Sequence, residues 1–173
     1  NPKFGDKENT IFYIKTNRTV QDKSKSKKTL SSIYVQAGRS VSKIFEIEGS
    51  ISNYSLSANK KFIYITTSEW SEEFKNIENK DSEPMYYENL PFRFDTRGII
   101  YNKRGHVYKV NLETNKFNKI VDGDKNHIIS IGSLVESDKD IIFSYEQYNS
   151  KGTMLEEKVA SLENKKIKDI HSR

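Results

Sequence analysis

The stretch that decides the fold is Gly105-His106-Val107-Tyr108-Lys109-Val110-Asn111-Leu112-Glu113-Thr114-Asn115-Lys116, continued by Phe117-Asn118-Lys119-Ile120-Val121. Apolar and polar residues alternate on both sides of the small-polar pair Thr114-Asn115, the pattern of two antiparallel strands joined by a hairpin. The same grammar returns near the C-terminal end. Ala160-Ser161-Leu162-Glu163-Asn164-Lys165-Lys166 echoes Asn111 to Lys116, and Lys166 to Ile170 stands where Phe117 to Val121 stood. Each unit also has a matching start. Ser55-Leu56-Ser57-Ala58-Asn59-Lys60-Lys61 leads into Phe62-Ile63-Tyr64-Ile65, and Ser133-Leu134-Val135-Glu136-Ser137-Asp138-Lys139-Asp140 leads into Ile141-Ile142-Phe143. A less regular copy comes first: Phe4 to Asn9 precedes Ile11-Phe12-Tyr13-Ile14, and Ile33-Tyr34-Val35 pairs with Lys43-Ile44-Phe45.

Helical periodicity is absent from these units, so the expected class is all-β. A repeat of this length reads as one supersecondary unit that cannot bury both of its faces alone. Stacking such units around an axis buries the faces and leaves only short edges. The sequence therefore predicts about three four-stranded antiparallel blades of a β-propeller in an incomplete ring. Blade 1 spans about 1–48, blade 2 about 49–124 and blade 3 about 125–173. Blade 2 carries a charged, irregular insertion at about 68–97, which holds the single Trp of the chain. Insertions of that length are uncommon and often functional.

Composition narrows the function classes. Charged residues make up 31% and hydrophobic residues 34%, a balance that would suit a disordered chain, but 10 Tyr and 9 Phe fall mostly in the alternating runs, where they favour a pleated, half-buried surface. There is no Cys, which excludes disulfides, thiolate metal sites and a cysteine nucleophile and fits a cytoplasmic protein. No apolar run reaches the roughly 20 residues that span a bilayer. The net charge of +5 is spread along the chain, densest at Asp22-Lys23-Ser24-Lys25-Ser26-Lys27-Lys28. These lysines have no interleaved aromatic residues on which bases would stack, so they read as a solvated loop rather than a nucleic-acid site.

Catalytic patterns are missing. Gly38-Arg39-Ser40-Val41-Ser42 lacks the second glycine of a nucleophile elbow and reads as a blade hairpin. The three histidines, His106, His127 and His171, are scattered and read as structural or solvated. Asp122-Gly123-Asp124 lacks the rest of a calcium loop and reads as a turn between blades. No phosphate-binding glycine loop is present. The expectation is thus no catalytic residue, no metal and no cofactor.

Leu90-Pro91-Phe92-Arg93-Phe94-Asp95-Thr96-Arg97-Gly98, then Gly105 to Lys116, then Val121-Asp122-Gly123-Asp124, resembles the N-terminal β-propeller of the prolyl oligopeptidase family of serine peptidases, most of all its acylaminoacyl-peptidase-like branch. The turns Ser57-Ala58-Asn59-Lys60-Lys61 and Ser137-Asp138-Lys139-Asp140 are similar to that family's serine-proline-aspartate-glycine-lysine turn, without its proline and glycine. The resemblance implies a non-catalytic propeller segment that caps a C-terminal α/β-hydrolase domain absent from this chain and gates the access of short peptides to it. Candidate peptide contacts are Arg93 and Arg97 of the matched segment, which suit a carboxylate or a structural salt bridge, and the insertion carboxylates Glu72 and Glu73, outside any matched motif, which suit a free amino end or a solvated loop face. The alternative function is a stand-alone β-propeller-like module that binds a protein partner. Either way, three blades do not close a ring, so the expectation is a homodimer through an open blade face or the cover of that face by further chain.

Overall fold

The structure, a computed structural model, describes residues 2–5, 10–19, 28–75, 93–94, 98–99, 102–137, 140–163 and 166–172. It is built from three four-stranded antiparallel sheets, each made from one continuous run of chain. The first contains β1 (Lys3–Phe4), β2 (Thr10–Thr19), β3 (Lys28–Ala37) and β4 (Ser40–Glu48), in that spatial order. The second begins with β5 (Ser50–Leu56) and β6 (Phe62–Trp70). After β6 come a four-residue helix, α1 (Glu72–Lys75), and a small separate hairpin of β7 (Arg93–Phe94) and β8 (Gly98–Ile99). The chain then returns through β9 (Lys103–Asn111) and β10 (Phe117–Val121), so the spatial order is β10-β9-β6-β5. The third sheet is β11 (Ile128–Glu136), β12 (Ile141–Tyr148), β13 (Leu155–Glu163) and β14 (Lys166–Ser172), again in order. This is the expected all-β architecture: three propeller blades in an incomplete ring. The one described helix is far too short to cross a membrane.

Strand alternation explains how the blades stack. In β6 and β9 the pairs Ile63–Val110 and Ile65–Tyr108 point to one side, while Tyr64 and Val107 point to the other. The first set joins Phe12, Ile33, Ile44, Phe45 and Tyr54 in a core between blades 1 and 2. The second joins Val121, Ile128, Ile131, Leu134, Phe143 and Tyr145 between blades 2 and 3. Blade 2 is therefore apolar on both faces. Polar clasps tie the layers together at their margins. The Tyr54 hydroxyl donates to the Phe12 carbonyl at 2.8 Å, linking blades 1 and 2. Glu136 reaches from blade 3 to blade 2, accepting from the Tyr64 hydroxyl at 2.8 Å and from the Ala58 N–H at 2.6 Å. Burial and the Glu136 charge together push the Tyr64 hydroxyl pKa far up, so it stays protonated and keeps donating.

On the far face of blade 3, the register partners Val135 and Ile142 alternate with the buried pair Leu134 and Phe143. Val135 is 62% exposed.

The structure adds strands that alternation does not find: the two-residue β1 and β7, and the longer β5 and β11, each the first strand of its blade. In β5 the run Ser50-Ile51-Ser52-Asn53 is mostly polar, and the register slips between Ile51 and Asn53. In β11 a glycine interrupts the pattern. A Cβ on Gly132 would lie 2.6 Å from Ser144 Oγ, and the pairing shifts between Ile131 and Leu134, so the glycine marks a bulge rather than a strand end. The insertion also begins later than its charge suggests: Ser68, Glu69 and Trp70 continue β6 and pair with Gly105, Arg104 and Lys103.

Candidate functional site

The blade 1-facing side of β6 and β9 changes character along its length. Ile63–Val110 and Ile65–Tyr108 are followed by Thr67–His106 and Glu69–Arg104, so a buried polar group caps the apolar core at the end where the insertion leaves. Glu69 is only 4% exposed. Its Oε1 accepts from Thr67 Oγ1 at 2.8 Å and from the Tyr108 hydroxyl at 3.0 Å. Its Oε2 pairs with Lys75 Nζ of α1 at 3.4 Å. Burial opposes the charge on Lys75, but Glu72 and Glu69 more than offset it and hold the ammonium pKa above its usual value. Burial and Glu69 drive the Tyr108 hydroxyl well above the usual tyrosine range.

His106 is fully buried. Its Nδ1 accepts the Gly123 N–H at 3.0 Å. The proton therefore sits on Nε2, which faces Asp124 Oδ2 at 3.8 Å and Glu69 Oε1 at 4.0 Å. Burial lowers the His106 pKa; Glu69 opposes that shift, Lys119 adds to it, and Asp124 and Asp122 oppose it further. The hydrogen bond depends on a close approach of two glycines. A Cβ on Gly123 would lie 2.2 Å from the Gly105 carbonyl oxygen, and a Cβ on Gly105 would lie 2.8 Å from Ile131 N. The connection from blade 2 to blade 3 passes through this contact. Asp124 then anchors α1: its Oδ1 accepts the Glu72 N–H at 3.2 Å and lies 3.8 Å from Arg104 Nε.

Two buried atoms of this group, His106 Nε2 and Asp124 Oδ2, make no hydrogen bond among the described residues and lie 3.8 Å apart. His106, Asp122 and Asp124 are near enough to suggest a cation. However, one imidazole nitrogen is occupied by an N–H and the other carries a proton, so neither offers a lone pair to a metal. The hydroxyls beside the carboxylate, on Thr67 and Tyr108, donate to Glu69 and not to His106, so no nucleophile–base pair forms here. The group's role is to fix two connections, the start of the insertion and the crossing to blade 3.

Of the residues that the sequence singles out, Glu72 lies in α1, 63% exposed and 3.2 Å from Lys75 Nζ, and Glu73 is exposed beside it. Arg93 lies in β7; its side chain and the whole of Arg97 fall outside the described residues, as does the basic run 22–27. His106 and the Asp122–Asp124 turn, read separately from sequence, are brought into contact. His127 lies in the blade 2–3 connection, and His171 lies in β14. Sequence reasoning missed Glu69. Its signal was parity: 63, 65, 67 and 69 lie on one face of β6.

Beside this group a cleft of about 310 Å³ opens between blades 2 and 3, lined in part by Arg104, Asn126, His127, Gln147 and Tyr148. A second cleft of about 280 Å³ shares Asn126 and Gln147 with it.

The architecture is thus that of propeller blades in an incomplete ring. Among solved structures, it is similar to the acylaminoacyl peptidase of Pyrococcus horikoshii in an orthorhombic crystal form, and to an acylaminoacyl peptidase in complex with Z-Gly-Gly-Phe-chloromethyl ketone. Each match covers 99% of this chain at 10% identity with a TM-score of 0.58. The chain spans 32% of the length of those peptidases, and the likeness is one of fold. No family model and no curated protein matches the sequence.

Proposed function

We propose that the chain is the non-catalytic propeller segment of an acylaminoacyl-peptidase-like serine peptidase, whose blades cap a hydrolase domain lying outside these 173 residues and gate the access of short peptides to it. The observation that carries this reading is the likeness to acylaminoacyl peptidase over 99% of the chain, joined to the absence of any nucleophile–base pair in the buried polar group of blade 2. Gating here is steric. Stacked blades with apolar cores are stiff, so a folded substrate is turned away while an extended peptide passes. The insertion would contribute to the rim of that passage, because Glu69, Lys75 and Asp124 hold its first residues at one end of blade 2.

The test is the longer gene product. A Gly-x-Ser-x-Gly elbow in the chain downstream, with hydrolysis of short acyl-peptides that a serine-directed reagent abolishes, is the expected result. A reading frame with no such elbow would overturn the proposal.

A further inference from the structure

In the buried polar group of blade 2 a donor and an acceptor face each other across a gap. His106 is fully buried. Its Nε2 and Asp124 Oδ2 are both enclosed, and neither has a hydrogen-bond partner among the described residues. The other polar atom of each side chain is engaged: His106 Nδ1 accepts the Gly123 N–H, and Asp124 Oδ1 accepts the Glu72 N–H. The two orphaned atoms are 3.8 Å apart, too far for a direct bond. Buried polar atoms in native proteins are nearly always paired, with protein or with ordered water, and one left bare costs free energy. A single oxygen at hydrogen-bond length from both atoms would subtend roughly a right angle between them, a geometry that water accepts.

The chemistry of the pair selects the occupant. With Nδ1 accepting, Nε2 carries the proton and is a donor, while the Asp124 carboxylate is an acceptor. A metal ion or an ammonium group finds no lone pair on Nε2. An anion would meet Asp124 and also Glu69, whose Oε1 lies 4.0 Å from Nε2. The occupant must accept on one side and donate on the other, and it must be small. Water meets all three conditions, and buried water is commonly held by such otherwise unsatisfied groups.

We propose that one buried water is built into blade 2, accepting from the His106 Nε2–H and donating to Asp124 Oδ2. It ties β9 to the connection between blades 2 and 3. Through Asp124 Oδ1 and the Glu72 N–H it also reaches α1, where the insertion begins. The site does not depend on the peptidase reading.

The experiment is nuclear magnetic resonance of the protein with isotopically labelled histidine, joined to a crystal structure at a resolution that shows ordered water. His106 is expected as its Nε2–H tautomer, with that proton showing cross-relaxation to water. In the rotating frame such a signal has the opposite sign to proton exchange, which separates the two. The crystal structure is expected to show one oxygen within hydrogen-bond distance of both Nε2 and Asp124 Oδ2. Asp124→Ala removes one arm of the bridge and should lose the water cross-peak. Should that variant fail to fold, the two wild-type measurements decide alone. An Nδ1–H tautomer, a direct His106–Asp124 bond, a metal ion in the gap, no water signal at the Nε2 proton, or a cross-peak that survives in Asp124→Ala would overturn the site.

Discussion

Replacing Gly123 with alanine tests the glycine contact that carries the chain from blade 2 to blade 3. The new Cβ would lie 2.2 Å from the Gly105 carbonyl oxygen and 3.0 Å from its carbon. Both are backbone atoms, so no rotamer change relieves the clash. Reaching even 3.0 Å requires the two segments to part by about 0.8 Å, the difference between 3.0 and 2.2 Å. Overpacking of this kind costs about 1–3 kcal/mol. The same movement strains the bond from Gly123 N–H to His106 Nδ1, worth about 0.5–1.5 kcal/mol. Together the cost is about 2–4 kcal/mol, or roughly 4–16 °C in Tm for a chain of this size. The assay is urea unfolding of wild type and Gly123→Ala, with Gly38→Ala as control. Gly38 has φ of +59° and nothing within 4 Å of an added Cβ. It therefore reports the backbone penalty alone, about 1–2 kcal/mol. A Gly123→Ala protein no less stable than the Gly38→Ala protein would refute the reasoning.

Three further outcomes follow from the same interactions. His106 is held below its ordinary pKa, so as pH falls through about 6.5 the unfolded chain takes up a proton that the folded chain refuses; stability should be flat above that pH, fall below it and level off once folded His106 protonates, and His106→Asn, whose carbonyl can accept the Gly123 N–H, should lose that component of the slope in urea melts at pH 7.5 and 5.5. Removing the blade 2–3 clasp by Tyr64→Phe should cost about 1 kcal/mol and by Glu136→Ala about 1–3 kcal/mol, with the double variant less costly than the sum because the two share one bond; strict additivity by denaturant melts would count against the clasp. The isolated 173-residue chain should dimerise by hiding Val135 and Ile142, and Val135→Glu together with Ile142→Lys should return a monomer by light scattering; an unmodified chain that is already monomeric would contradict this.

Much of the fold was legible because blade 2 and blade 3 are written in the same grammar. The middle strands of blade 2 show in the sequence as short runs rich in aliphatic and aromatic residues, Phe62 to Ile65 and His106 to Val110, which are buried on both faces. The first strands were illegible for a physical reason. β5 and β11 carry register shifts, and the small or polar residues found there, Ser52, Asn53, Gly132 and Ser133, look like turns to any rule based on propensity. The buried polar group was half legible. His106 and Asp122-Gly123-Asp124 stood out as residue types, yet only the pairing of β6 with β9 and the passage of Gly123 over Gly105 bring them together. Glu69 was hidden by its charge, which suggests a loop until Thr67, Tyr108 and Lys75 are seen to neutralise and solvate it.

The way β6 hands over to β9 has a consequence for how such a chain evolves. Their pairing runs unbroken to Trp70 and Lys103, and just beyond it the Ser71 N–H bonds the Asn102 carbonyl at 2.8 Å. Everything between 71 and 102 is thus a parenthesis that opens and closes at a single neck. Its first turn is pinned to the blade, by Lys75 to Glu69 and by the Glu72 N–H to Asp124, so beyond Lys75 a change of length costs the blade loop closure, about 0.6 kcal/mol for each doubling. The register partners of β6 and β9 all lie outside residues 71–102, so a change of length beyond Lys75 leaves that ladder in place, and the scaffold can keep its core while this corner varies.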